Sequence, residues 1–276
     1  MAMPFCRPDR ILAPTWTLAS GTEVGGDYVL AALTDQDPSL PLWIEEVSIG
    51  LQGNLGAPVR VDGVAVIHHN FAEGTDVRLR VTDAAGGGGT GATITVTVGP
   101  WMGRWAPHLY FDVAAEAPLV GDRTRQYLFL DNTDPNTVPV QIGELVTAGE
   151  VETFSGMLVE PTTPLTYGRS VVSGKKGPQF IHDRRSRDRQ WNGNAVLDEA
   201  DDVAIFENWQ HQSYGVRPFL CWPYNGLTTD PSAVPAGDEP VYARFSDPVY
   251  APSLPFDTTV KRTKLEITEL SCGEAY

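Results

Sequence analysis

Apolar and polar residues alternate in short runs along this chain, and the period is two far more often than three or four. Asp76–Thr82 (DVRLRVT) puts Val77, Leu79 and Val81 on one face and Arg78 and Arg80 on the other, the pattern of a half-buried strand. Ala92–Val98 (ATITVTV) repeats the alternation after the tract Ala84–Gly91 (AAGGGGTG), so the two runs predict a hairpin with a Gly-rich tip. Further strand-like runs fall at Tyr28–Leu33, Leu42–Ile49, Val59–His68, His108–Val113, Gln126–Leu130, Val138–Leu145 and Glu150–Leu158. Turn clusters such as Asp35–Ser39 and Asp131–Asn136 separate them. Strands at this spacing predict a β-sandwich or jelly roll over residues 23–155. Residues 1–22 are Pro-rich and irregular, which predicts an N-terminal arm or a leading edge segment.

Beyond residue 156 the texture changes. Strands are expected at Leu165–Val172, Arg189–Leu197, Arg217–Trp222, Val241–Phe245 and Lys261–Leu270, with one helix at Glu199–His211. Asp198 is a suitable N-cap, and Glu199, Asp201 and Asp202 set negative charge at the positive end of the helix dipole. Ala200, Val203, Phe206 and Trp209 recur every third residue and, with Ile205, predict a helix packed on a sheet. The expected fold class is therefore mostly β: a sandwich followed by a second β-rich part, 156–276, with one α-helix. One continuous fold over residues 23–276 fits the pattern equally.

Composition agrees. The 276 residues are 42% hydrophobic and 20% charged, and 27 Gly with 22 Pro favour turns over long helices. No apolar run reaches the roughly 18 residues that a membrane-spanning helix requires, so no membrane insertion is expected. The start, Met1–Cys6, lacks the basic and apolar regions of a secretory leader, so synthesis in a cytoplasm is expected. Cys6, Cys221 and Cys272 are far apart, form no metal-ligand pattern, and are expected as buried thiols.

The net charge of −15 disfavours nucleic acid as a partner. The charge is uneven, however. Residues 174–191 hold Lys175, Lys176, Arg184, Arg185, Arg187 and Arg189 against Asp183 and Asp188; six cations less two carboxylates give +4, which leaves −19 on the remainder. A basic loop on an acidic body is a candidate assembly contact, with a second copy or with an acidic neighbour. A solvated hairpin with local ion pairs accounts for it as well.

Candidate chemistry is sparse. The Gly-rich tract lacks the Lys-Ser/Thr of a phosphate loop and precedes a strand. Asp131–Asn136 lacks the offsets and closing Glu of a calcium loop. His68 and His69 are adjacent on a strand, so their rings are expected on opposite faces and unable to share a metal. A third ligand from His108, His182 or His211 is not recommended by any spacing, and structural roles at a strand end are expected for the pair. No nucleophile elbow, zinc-protease motif or dinucleotide fingerprint occurs, so neither catalytic residues, a metal nor a cofactor is expected. The 35 acidic residues leave room for a chance glycosidase pair, the weakest of the readings. Among seven tryptophans, Trp101 and Trp105 (WMGRW) follow a strand and Pro100. Two roles stand for them: a glycan or partner surface on a loop at the sandwich edge, or cover for the barrel end and a seat for a neighbouring subunit.

The succession of segments resembles that of siphophage tail proteins. VAVIHHNFAEGTDVRLRVTD (64–83) is similar to a tail-protein stretch in which an apolar strand ends in a His-Asn step before a strand bearing arginines. LAALTDQDPSLPLWI (30–44) and YLFLDNTDPNTVPVQIGELVTAGEVE (127–152) resemble the flanking segments. The basic segment, Trp191–Leu197, the acidic-capped helix, Pro218-Phe-Leu and VKRTKLEITEL (260–270) follow in the same order. Departures are the Gly86–Gly91 hairpin and Glu144, where an Arg is common in that group. The resemblance implies a discoidin-like (galactose-binding-like) sandwich at the front and a structural role in a tail tip or baseplate. It further implies residence in a virion tail, other phage tail proteins as partners, a homo-oligomeric ring, and contact with a host surface glycan. The alternative function is a carbohydrate-binding module that recognises host glycans.

Overall fold

The computed structural model describes residues 3–36, 38, 41–85, 91–100, 108–116, 124–154, 157–162, 165–172, 180–197, 200–213, 217–222, 240–245 and 261–270; within these, 116, 154–202 and 261–266 are described by backbone alone. The leading strands are β1 (Met3–Cys6), β2 (Ile11–Leu12), β3 (Thr15–Ser20), β4 (Leu42–Trp43) and β5 (Gly50–Arg60). Next come β6 (Gly63–His69), β7 (Asp76–Thr82), β8 (Gly91–Thr97), β9 (Leu109–Asp112), the helical turn α1 (Val113–Glu116), β10 (Thr124–Asn132) and β11 (Gln141–Ala148). The remainder comprises β12 (Glu152–Phe154), β13 (Met157–Thr162), β14 (Leu165–Val172), β15 (Phe180–Leu197), helix α2 (Ala200–Ser213), β16 (Phe219–Cys221), β17 (Val241–Phe245) and β18 (Lys261–Glu269).

These strands form three antiparallel sheets. An outer sheet runs β3-β5-β10-β7-β8, a middle sheet β2-β11-β6-β9 with β4 on β11, and a back sheet β12-β1-β16-β17-β18-β15-β13 with β14 on β15. The outer and middle sheets face each other across the largest core, which includes Leu51, Val77, Leu79, Leu128 and Leu130 from one and Val64, Val66, Phe111 and Leu145 from the other. The protein is thus mostly β, with a front sandwich and a packed helix. The alternation in β7 does what the sequence implies: Val77, Leu79 and Val81 are buried, and the β7–β8 hairpin pairs in register from Asp76↔Thr97 to Thr82↔Gly91.

The middle sheet is covered on both faces, which explains the unbroken burial of β6. Val64 and Val66 enter the sandwich core, while Ala65 and Ile67 join Val146 and Ala148 against Cys6, Leu220, Trp222 and Tyr242 of the back sheet. On the opposite face of that back sheet, Phe5, Phe219, Cys221, Val241, Ala243 and Phe245 pack with Phe206 and Trp209 of α2. Alternation along β1, β16 and β17 therefore assigns each residue to the seam or to the helix. Layers succeed one another as outer sheet, middle sheet, back sheet and helix. The seam carries Tyr110 edge-on to Trp222 at 4.8 Å, and Gly63 is obligatory beneath it, because a Cβ there would lie 2.1 Å from the Tyr110 hydroxyl.

Three expectations need correction. Of the two readings of residues 1–22, a free arm does not describe Met3–Ser20, which supplies β1, β2 and β3, one to each sheet, with β2 and β3 at sheet edges. Apolar Met3–Cys6 is fully buried between β12 and β16, so four residues suffice where both faces are covered. Tyr28–Leu33 is not a strand but leads into a 3₁₀ turn at Leu30–Thr34, following Gly25 and Gly26 with positive φ. The basic segment is not a loop throughout, since Phe180–Gln190 is part of strand β15. Strand β5 was also hidden, by Gly50, Gly53, Gly56 and Pro58. Gly53 has a packing reason: the Trp16 ring occupies the place of its Cβ, 2.9 Å away.

Candidate functional site

The two ends of the middle sheet's seam are polar. At one end the chain crosses between sheets twice, from β1 to β2 and from β11 to β12, and arginines hold the crossings together. Arg7 meets Glu152 at 3.1 Å, Arg10 meets Glu150 at 3.4 Å, and Arg60 binds buried Asp62 with two hydrogen bonds of 2.8 and 2.7 Å. Burial raises the Glu152 carboxyl above its ordinary value, with Arg7 opposing that shift.

At the other end His68, His108 and Glu269 converge, with one ligand-type atom from each within 4.8 Å of the others. His68 is the penultimate residue of β6, His108 precedes β9 and Glu269 closes β18, so two sheets contribute. The three residues are nearly enclosed, at 9%, 7% and 5% exposure. The imidazole rings meet edge to face at 4.7 Å and 88°. His108 Nδ1 lies 3.0 Å from the Pro240 carbonyl; a carbonyl only accepts, so Nδ1 donates there, and Nε2 faces Glu269 Oε1 3.9 Å away. His68 Nε2 lies 2.9 Å from the Leu270 carbonyl.

The expected separation of His68 from His69 is observed, as His69 packs on Phe71 at 5.1 Å. The faces are exchanged, however. Continuing the β6 alternation would send His68 into the sandwich core with Val64 and Val66, but its φ of 51° is left-handed and its ring meets the seam. Strand periodicity had no means of showing this, and Glu269 carried no signal beyond its place at a strand end.

Beside this centre, the His-Asn step has a mechanical role. Asn70 Oδ1 accepts from Gln141 N at 2.8 Å and its Nδ2 donates to Pro139 O at 2.8 Å. Asn136 of the Asp-Asn-Pro turn accepts from Ala72 N and donates to the Asn70 carbonyl. The turn cluster is a hydrogen-bonded clasp. Cys6 and Cys221 are buried thiols, and burial pushes Cys6 up to about 12 and raises Cys221 further.

The residues singled out from charge and aromaticity are placed unevenly. Trp101, Trp105, Lys175, Lys176 and Cys272 lie outside the described residues. Arg187 and Arg189 pair in register with Tyr167 and Leu165 of β14, whereas Arg184 and Arg185 fall at a bulge opposite the Tyr167–Arg169 step. Among the described residues β14 is the sole partner of Phe180–Arg189, while Gln190–Leu197 is embedded between β13 and β18. The basic stretch is thus one side of a two-stranded ribbon that continues past the back sheet.

No family model and no curated protein matches the chain. Among solved structures it is similar to chitosan-binding module 1 of a chitosanase/glucanase from Paenibacillus sp. IK-5, with TM-score 0.37 and 17% identity over 50% of this chain and 96% of that one. An F5/8 type C domain from Bacteroides fragilis gives 0.36 and 12% over 52% and 99%. Module CBM32-3 of a family 31 glycoside hydrolase from Clostridium perfringens gives 0.37 and 12% over 53% and 95%. At TM-scores below 0.5 these likenesses do not identify what this chain binds.

Proposed function

We propose that this chain is a non-catalytic structural protein of a phage-like tail tip or baseplate, assembling as a ring with other tail proteins, and that its front sandwich is of the galactose-binding-like kind. The observation that carries the reading is the β14–β15 ribbon. Ten residues of β15, Phe180–Arg189, extend beyond the back sheet, a reach of roughly 30 Å at strand rise. The ribbon belongs to the +4 segment of a chain whose remainder is −19. A cationic ribbon on an acidic body suits head-to-tail contact, in which one patch meets a different patch on the next copy and the rotation closes a ring. Sizing of the full chain by light scattering tests this. A discrete oligomer that weakens with salt, and is lost in the triple variant Arg184→Glu, Arg185→Glu, Arg187→Glu, is expected. A monomer at all concentrations, absent from the tails of source particles under cryo-electron microscopy, would overturn it.

The second reading is glycan recognition by the front sandwich. It rests on Trp101 and Trp105, which lie in the connection from β8 to β9, the edge strands of the two facing sheets. Aromatic residues on such a connection offer flat apolar faces to sugars. Glycan-array binding by the monomeric chain, lost on Trp101→Ala and Trp105→Ala, would favour this reading over assembly.

A further inference from the structure

We propose that His68, His108 and Glu269 form a binding site for a single divalent transition-metal ion of the zinc class, which staples the front sandwich to the back sheet. Two imidazoles and one carboxylate are a ligand set that suits zinc. Ligands about 2.0–2.2 Å from a tetrahedral ion stand roughly 3.4 Å apart, so atoms already within 4.8 Å close on an ion through small side-chain rotations. His108 is oriented in the manner of a metal ligand, with Nδ1–H donated to the Pro240 carbonyl and Nε2 turned inward to the cluster, 3.9 Å from Glu269 Oε1. The left-handed backbone at His68 turns that ring to the cluster, in a conformation uncommon for a non-glycine residue. Such low exposure suits a structural ion rather than one that turns over substrate. This inference is independent of whether the chain builds a ring or binds glycans.

The test uses the full-length protein, stripped with EDTA and dialysed at pH 7.5, where imidazole is mostly neutral. Calorimetric titration with Zn(II) should give one equivalent per chain, and thermal unfolding should shift upward. Glu269→Gln, which keeps the shape and removes the charge, should weaken uptake at least tenfold. Replacement of His108 risks unfolding the seam, so the wild-type protein supplies a second measurement: X-ray absorption of the one-equivalent zinc complex should show scattering from two imidazoles. No stoichiometric uptake, unchanged affinity in Glu269→Gln, or a spectrum without two histidines would each overturn the proposal. The first of these would leave the cluster as a buried histidine–carboxylate contact alone.

Discussion

Phe5 and Trp209 are separated by most of the chain yet stack at 4.4 Å with 24° between their planes, and both are fully buried. Trp209 also meets Phe219 and Phe245, each at 4.8 Å, so it is the hub through which α2 docks on the back sheet. Truncation of either ring to Ala should cost about 3–5 kcal/mol, a large share of the roughly 5–15 kcal/mol that stabilises a typical domain. The milder changes Phe5→Leu and Trp209→Leu keep the site apolar and allow the double variant to fold. If the stack is real, the two losses will not add: a coupling of about 0.5–1.5 kcal/mol is expected, the range for aromatic pairs beyond their area. Urea unfolding followed by far-ultraviolet circular dichroism on the four proteins measures it. Phe5→Leu combined with Phe71→Leu is the control, since Phe71 belongs to the separate sandwich core and should add to within about 0.5 kcal/mol. If the Phe5–Trp209 coupling is no larger than the control, the first strand does not belong to the last sheet, and the layered arrangement is wrong.

Four further outcomes are expected. Iodoacetamide on the native protein at pH 8 should leave Cys6 and Cys221 unmodified by peptide mapping, because burial raises both thiols; labelling of either before unfolding would contradict their burial. Asn132→Ala should cost about 1–3 kcal/mol by chemical denaturation, since buried Asn132 accepts from Ile49 N and donates to Val47 O and Asp134 O. By contrast, Arg78→Ala should cost under about 1 kcal/mol despite two good bonds to Asp131, because that pair is partly exposed; equal losses would refute the distinction. Hydrogen bonds from the Thr22 hydroxyl and then its amide hold the Glu46 carboxyl below its ordinary value. Its stabilisation is therefore complete above the unfolded value and is lost as pH falls through the folded one, so acid unfolding of Glu46→Gln should show a shallower pH dependence than wild type.

Legibility in the sequence followed how regular each local signal was. β7 and β8 alternate cleanly, and Val203, Phe206 and Trp209 mark the helix, so hairpin and helix were readable to within a few residues. β5 was not, because the glycines that make room for Trp16 are the residues that argue against a strand. The continuous apolar run of β6 marks a strand buried on both faces, but what covers its second face depends on Leu220, Trp222 and Tyr242, more than 150 residues away. The site was less legible still. His68, His108 and Glu269 come from three separate strand ends, and the left-handed residue that brings the first of them in reverses the rule used to predict where it points. Charge counting located the basic segment, although not its place on a ribbon.

The position of β1 governs the order in which the protein is completed during synthesis. One neighbour, β12, emerges about 150 residues after it, and the other, β16, only about 210 residues after it. At ribosomal rates of about 5–20 residues per second, the four apolar residues Met3–Cys6 spend roughly 10–40 s without their second neighbour, while the intervening sandwich already has all its strands. A nascent chain of this kind carries a sticky β segment ahead of a finished domain, a natural ligand for a chaperone. A bulky tag fused directly before Met3 should lower the yield of folded protein more than the same tag carried at the other terminus.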